Sequence, residues 1–135
     1  MSNAFVRWID GKQFIGIDST NHSVVLSTPD EGVGMKPSDL LLVALASCTA
    51  VDVVEILAKK RLHLQSLEIS ANGEQETDPP WTFRRIQLHY VLRGADLTET
   101  AVRQAIDLSQ GKYCSVAATL RGVAEITTSF TILHG

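Results

Sequence analysis

The sequence predicts a mixed α+β fold, and three observations indicate it. Strand-like segments with alternating apolar and polar residues occur in blocks rather than singly between helices. One long helical segment, residues 37–60, separates a first block of strands from a second. The chain has 135 residues, of which 44% are apolar and 20% charged, so it is large enough to bury a core and is not expected to be disordered. We predict a single domain over residues 1–135 with the element order βββ-α-ββ-α-(α)-β.

The N-terminal block predicts a three-stranded meander. Phe5–Ile9 alternates apolar and mixed residues, and Asp10 followed by Gly11 is a strong hairpin-turn signal. Gln13–Ile17 then returns as a second strand, and Ser23–Ser27 follows a polar turn as a third. Residues 28–36 carry a proline and two glycines and are predicted to form a loop.

A long helix is predicted over Pro37–Lys60. Proline suits the first helical position, where its missing N–H is not needed, and Asp39 places negative charge on the first turn. At about 1.5 Å per residue this helix is roughly 36 Å long. Leu40–Ala46 is apolar on every side, which predicts burial all round. A thiol, Cys48, lies in the middle of the helix.

The next segment predicts a β-hairpin. Apolar residues alternate with polar ones over residues 67–72 and again over residues 86–92. Asp78, Pro79 and Pro80 lie between the two strands and predict the turn.

The C-terminal part predicts a helix, a short second helix and a last strand. Asp96 followed by Glu99 has the spacing of a capping box, and Gly111 is a plausible helix stop. Val116–Arg121 is rich in alanine and predicts the short helix, and Ala124–Ile132 alternates as the final strand.

Charge and the N-terminus limit the partners and the compartment. The formal net charge is −3 and no basic run is present, which argues against nucleic acid or an anionic membrane as the main partner. The first residues lack a charged segment followed by an apolar run, so no secretory signal is predicted. Leu40–Val51 is short and interrupted by polar residues, so a membrane span is not predicted. We expect a cytoplasmic protein.

Cys48 and Cys114 are the candidates for chemistry. In the cytoplasm, two cysteines are not read first as a structural disulfide. Cys114 precedes a short helix and lies two residues after Lys112, and both features lower a thiol pKa. Cys48 is in mid-helix with Asp52 and Glu55 on its face, and these carboxylates would raise its pKa.

Residue types alone leave the role of the two thiols open. Two inert buried cysteines are the simpler interpretation, because free cysteine is among the most buried residue types. Redox-active thiols are the alternative. The four histidines fit no metal-ligand spacing and no Cys-x-x-Cys motif is present, so we predict no metal site.

Two motifs together resemble one family. Pro-Ser-Asp-Leu-Leu at 37–41 leads to Ala-Ser-Cys ending at Cys48, and Lys-Tyr-Cys-Ser-Val follows at 112–116. This pairing resembles the OsmC/Ohr superfamily, the osmotically inducible protein C and organic hydroperoxide resistance proteins. The similarity covers nearly the whole chain, and residues 48–57 look closest to the YhfA-like branch.

The resemblance implies an OsmC-like fold in an intertwined homodimer with two sites at the interface. By position, Cys48 matches the peroxidatic thiol, which attacks an organic hydroperoxide, and Cys114 matches the resolving thiol, which condenses with the sulfenic acid to a disulfide. A dithiol reductant such as a lipoylated protein then restores both thiols. No metal or organic cofactor is implied.

The chain departs from the peroxidase branches at their activating pair. Those branches carry a glutamate directly after the helix-opening proline, where this chain has Ser38 followed by Asp39. They also carry an arginine in the first hairpin turn, for which Lys12 and Arg7 are the available cations. The leading prediction is a slow thiol-dependent peroxidase. The alternatives are a non-enzymatic binding or redox-sensing module and a structural dimer with inert thiols.

Overall fold

Two separate three-stranded sheets and three α-helices make up the fold. The computed structural model describes residues Met1–Gly135. The strands are β1 (Ala4–Asp10), β2 (Gln13–Asp18), β3 (Ser23–Ser27), β4 (Ser66–Gln75), β5 (Phe83–Arg93) and β6 (Glu125–Leu133). The helices are α1 (Pro37–Lys59), α2 (Glu99–Leu108) and α3 (Ser115–Leu120). The predicted α+β class and order of elements are therefore confirmed.

The chain forms two compact units, Met1–Leu41 and Leu42–Gly135. The first contains the predicted meander, an antiparallel sheet in the order β1-β2-β3. Gly11 lies in the predicted hairpin turn with a positive φ of 52°, a conformation that glycine adopts at low cost. Every residue of β1 is exposed in the single chain. The single domain proposed from the sequence stays a prediction.

The second unit contains the sheet β4-β5-β6 and a hydrophobic core. β4 and β5 pair antiparallel as the predicted hairpin, and β6 lies parallel to β5 on its other side. One stripe of α1 is buried and shares this core with the inward side chains of β5 and α2. The stripe consists of Leu45, Thr49, Val53 and Leu57, which are spaced four residues apart and so lie on one side of the helix.

The opposite side of α1 is not covered in the single chain. Val43, Val51 and Val54 are between 46% and 57% exposed. The prediction that Leu40–Ala46 is buried all round is therefore wrong for one chain. A helix presents only one stripe to a single neighbouring layer, and here only Leu45 of that segment lies in it.

Length and composition alone would allow α1 to cross a membrane, with a mean hydropathy of 2.2 over its most apolar window. The core helices of soluble proteins meet the same criterion. Only 22% of that window is buried within the chain. The cytoplasmic location and the absence of a membrane partner stay predictions.

The ends of α2 differ from the prediction. Thr98 is the N-cap, and its hydroxyl accepts a hydrogen bond from the Ala101 N–H at 3.2 Å. Asp96 instead accepts hydrogen bonds from the backbone N–H of His63 at 3.0 Å and pairs with its ring at 2.8 Å. Gly111 does not stop the helix. The chain continues from α2 into a π-helical turn, Ser109–Tyr113.

Candidate functional site

The structure brings Cys48 and Cys114 together, although they are far apart in sequence. Cys48 is partly buried on α1, whereas Cys114 is only 2% exposed at the start of α3. The Cys48 sulfur lies beside the Cys114 thiol and the start of α3, and hydrogen bonding from Cys114, Ser115 and Val116 lowers its pKa. Both cysteines are free thiols. The two predicted redox residues therefore share one site.

Local structure on both sides of Cys114 holds its side chain in place. On one side, the Cys114 N–H donates to the Ser109 carbonyl at 2.8 Å and closes the π-helical turn. On the other, Cys114 is the N-cap of α3, and its sulfur accepts a hydrogen bond from the Ala117 N–H at 3.4 Å. The sulfur thus takes the place that a serine or threonine hydroxyl usually fills at a helix start.

The two thiols have opposite pKa shifts. Burial raises the pKa of Cys48, but hydrogen bonds from the Val116 N–H, the Cys114 thiol and Ser115 together lower it below its usual value. Burial is also the largest effect on Cys114, where it raises the pKa to about 11, and the neighbouring Cys48 adds to the rise. Cys48 is therefore the more acidic thiol, as a nucleophile must be.

This result reverses the pKa directions expected from the sequence. The start of α3 was expected to lower the pKa of Cys114, which precedes it directly. Instead, the free N–H groups of the first turn of α3, at Ser115 and Val116, reach across to Cys48 on another element. Cys114 lies deeper, and its burial outweighs the hydrogen bond from Ala117.

The carboxylate of Asp52 takes part in a different interaction from the one expected. It accepts a hydrogen bond from the Ser109 hydroxyl at 2.8 Å. The Ser109 hydroxyl also lies 2.8 Å from that of Thr49, which in turn lies 2.8 Å from the Tyr90 hydroxyl. This buried cluster was not predicted from the sequence. Its one available signal was Thr49, a polar residue on the otherwise apolar stripe of α1.

The four supporting residues predicted from the sequence are placed as follows. Lys12 forms an ion pair with Asp30 at 2.9 Å, and the Arg7 guanidinium lies over the Phe5 ring at 5.5 Å from its centre. Ser38 and Asp39 lie in the first turn of α1. The role of these four residues beside Cys48 stays a prediction.

A cavity of about 360 Å³ is lined by side chains of α1 and α2 and by Tyr113, and neither cysteine lines it. Asp52, one helical turn after Cys48, and Tyr113, the residue before Cys114, both line it. The other lining residues are Glu55, Ile56, Lys59, Lys60, Gln104 and Leu108. The walls mix carboxylates, ammonium groups and apolar side chains, and so offer both polar and apolar contacts to a small molecule. No cluster of three or more His, Cys, Asp or Glu side chains that could hold a metal ion is present.

A sequence model of the OsmC-like protein family matches residues 28–129, which include both cysteines. The chain belongs to the OsmC-like family. It is 35% identical over 130 residues to protein YhfA of Escherichia coli K12, with 96% of this chain and 97% of YhfA covered. The predicted superfamily and the predicted similarity to the YhfA-like branch are therefore confirmed.

Solved structures of OsmC-like proteins share the fold. An OsmC-like protein from Mycoplasma pneumoniae superimposes with a TM-score of 0.86 at 22% identity, covering 99% of this chain and 98% of that one. The organic hydroperoxide resistance protein OhrB of Bacillus subtilis has a TM-score of 0.67 at 14% identity, covering 97% and 98%. At these identities the likeness establishes the fold alone.

Proposed function

We propose that this OsmC-like chain is a thiol-dependent peroxidase that reduces organic hydroperoxides through Cys48 and Cys114. The observation that carries the proposal is the contact between a thiol of lowered pKa, Cys48, and a buried second thiol, Cys114. Family membership supports the same redox role, since the family includes proteins named for organic hydroperoxide resistance.

In the first step, the Cys48 thiolate attacks one oxygen of the hydroperoxide. A sulfur–oxygen bond forms and the oxygen–oxygen bond breaks, so that Cys48 becomes a sulfenic acid and the substrate leaves as an alcohol after taking up a proton. Hydrogen bonding from the N–H groups of Ser115 and Val116 lowers the pKa of Cys48 and so favours the thiolate form that attacks.

In the second step, Cys114 resolves the sulfenic acid. Its sulfur forms a bond to the Cys48 sulfur, the sulfur–oxygen bond breaks, and the leaving hydroxide combines with the thiol proton as water. The order of the two steps follows from the pKa shifts. Part of the rise at Cys114 comes from Cys48, so conversion of Cys48 to a neutral sulfenic acid lowers the pKa of Cys114 when its thiolate is needed.

A dithiol reductant closes the cycle. It reduces the Cys48–Cys114 disulfide to two thiols and is itself oxidised to a disulfide, and a lipoylated protein is the expected donor. The cycle as written uses no metal and no organic cofactor.

We further propose that the chain acts as a homodimer. On β1, Phe5, Val6, Trp8 and Ile9 are each more than half exposed. The outer side of α1 carries a second apolar surface, including Val43 and Val51. Apolar area of this extent is typical of an interface rather than of a free surface, and a second copy of the chain is the occupant expected from the family.

The test uses reduced protein mixed with cumene hydroperoxide. Loss of hydroperoxide and loss of free thiol are followed together in the wild type, Cys48→Ser and Cys114→Ser. We expect Cys48→Ser to abolish both. Cys114→Ser should retain one turnover and accumulate sulfenic acid at Cys48. The proposal would be refuted if wild type lost free thiol no faster than Cys48→Ser.

A second candidate function is redox sensing without sustained turnover. It rests on the contacts of Cys48, since the groups that lower its pKa are all neutral donors rather than a guanidinium. Neutral donors stabilise the thiolate but place no positive charge against the bound hydroperoxide. Stoichiometric oxidation of wild type, with no further hydroperoxide loss when dihydrolipoamide is added in excess, would favour this candidate.

A further inference from the structure

We propose that Thr49, Ser109 and Tyr90 are positioning residues that hold Cys114 against Cys48 for disulfide formation. The role of this hydroxyl cluster in catalysis rests on the peroxidase cycle proposed above. Its geometric role, the placement of the two sulfurs, does not depend on the oxidant.

The three side chains are linked by hydrogen bonds within the core. All three residues are fully buried, and each hydroxyl has a partner at 2.8 Å. The Gln110 side-chain amide lies beside Tyr90 at 3.4 Å, and the Asp52 carboxylate lies beside Ser109 at the other end. Buried polar groups are stabilising only when their hydrogen bonds are satisfied, so the cluster holds its members in a defined arrangement.

The direction of the hydrogen bonds follows from the end groups. The Asp52 carboxylate only accepts, so the Ser109 hydroxyl donates to it. Ser109 therefore accepts from Thr49, and Thr49 accepts from Tyr90. Each hydroxyl has one proton to donate. Loss of the Thr49 hydroxyl therefore removes two hydrogen bonds, one to Tyr90 and one to Ser109.

The cluster is joined to both cysteine segments at their backbones. Thr49 directly follows Cys48 on α1, and the Ser109 carbonyl accepts the hydrogen bond from the Cys114 N–H. Ser109 begins the π-helical turn that carries the chain to Cys114. A π-helical turn is much rarer than α-helix, and this one begins at a residue whose side chain is hydrogen-bonded within the cluster. Relaxation to α geometry would change the direction of Cys114 by about 100°, the rotation of one residue.

The step that depends on this placement is the attack of Cys114 on the Cys48 sulfenic acid. The Cys114 sulfur must approach in line with the sulfur–oxygen bond that breaks, and its proton leaves with the hydroxide as water. Misplacement of reacting atoms by about 1 Å can slow a step roughly a hundredfold. The first attack on hydroperoxide does not use the Cys114 sulfur as a reactant. Its rate is measured separately, because donors that lower the pKa of Cys48 come from the segment that begins at Cys114.

The experiment compares Thr49→Val, which replaces the hydroxyl by a methyl group at nearly constant size, with Thr49→Ser, which keeps the hydroxyl and loses the methyl group. After one equivalent of cumene hydroperoxide, we expect Thr49→Val to slow the oxidation of Cys48 less than it slows the disulfide step. It should then form the disulfide roughly ten- to a hundredfold more slowly, with sulfenic acid trapped by dimedone. Thr49→Ser should match wild type. Disulfide formation at the wild-type rate in folded Thr49→Val would overturn the inference.

A second variant and a peroxide-free measurement separate this inference from the proposed function. Tyr90→Phe keeps the ring and removes the hydroxyl that donates to Thr49 and accepts from the Gln110 amide, and it should slow the same step. Equilibration with dithiothreitol measures how readily the two sulfurs pair without any peroxide, and Thr49→Val should favour the dithiol relative to wild type. If wild type reduces no hydroperoxide but this shift is seen, the peroxidase proposal fails and the positioning role stands. If hydroperoxide is reduced but wild type, Thr49→Val and Tyr90→Phe have the same dithiol–disulfide equilibrium with dithiothreitol, the positioning role is refuted and the peroxidase proposal stands.

Discussion

Removal of the Ser115 hydroxyl is the most direct test of how Cys48 is activated. Ser115 lies at the exposed start of α3, and its side chain is one of the donors that lower the pKa of the Cys48 thiol. The substitution Ser115→Ala deletes this donor while the backbone N–H groups of Ser115 and Val116 remain. Alanine is also compatible with the helical backbone at this position.

The expected effect follows from the worth of one hydrogen bond. A hydroxyl donor contributes about 1 kcal/mol net, which changes the thiolate fraction of Cys48 about fivefold below its pKa. The pH midpoint for reaction of Cys48 with iodoacetamide should therefore move to higher pH. Above the midpoint, the less stabilised thiolate should react about twofold faster, because nucleophilicity rises with pKa.

The assay measures the alkylation rate of Cys48 against pH, with peptide mass mapping to separate it from Cys114. The control is Ser47→Ala, whose hydroxyl donates to carbonyls of its own helix at Val43 and Ala44. This variant should keep the wild-type profile. A midpoint that stays in place or falls in Ser115→Ala would refute the account of Cys48 activation.

Three further predictions concern stability and assembly. Leu45→Ala should lower the free energy of unfolding by about 2–5 kcal/mol in urea titration, because Leu45 is fully buried in the core; a loss below 1 kcal/mol would contradict this placement. The pKa of Cys114 is raised to about 11, so the free energy of unfolding of wild type should fall as the pH rises from about 9 to about 11. Cys114→Ser should lack that part of the fall. Identical pH profiles for the two proteins would contradict the raised pKa of Cys114. Val51→Asp places a charge on the exposed apolar side of α1 and should give monomers in size-exclusion chromatography with light scattering, whereas Val51→Thr should remain dimeric; a dimeric Val51→Asp would place the interface elsewhere.

Much of the fold could be predicted because its signals are local. Alternation of apolar and polar residues indicated the strands of the second sheet, turn signals and short apolar segments indicated those of the first, and the run Pro37–Lys60 indicated the long helix, which ends at Lys59. The capping box at Asp96 misled because Asp96 hydrogen-bonds His63, a residue distant in sequence, and Thr98 caps α2 instead. The stop at Gly111 failed because the chain forms a π-helical turn supported by the buried side chain of Ser109, and no local signal indicates that support.

The sequence by itself determined the family, the order of elements and the two cysteines as candidates for chemistry. Only the tertiary structure decided that the cysteines meet and that Cys48 is the more acidic of the two. The physical reason is that a thiol pKa depends on burial and on donors in space. The donors to Cys48 come from the start of α3, while the carboxylate of Asp52, its neighbour in sequence, is bound to Ser109. Burial depth and contacts between distant segments arise only when α1 and the turn before α3 pack together.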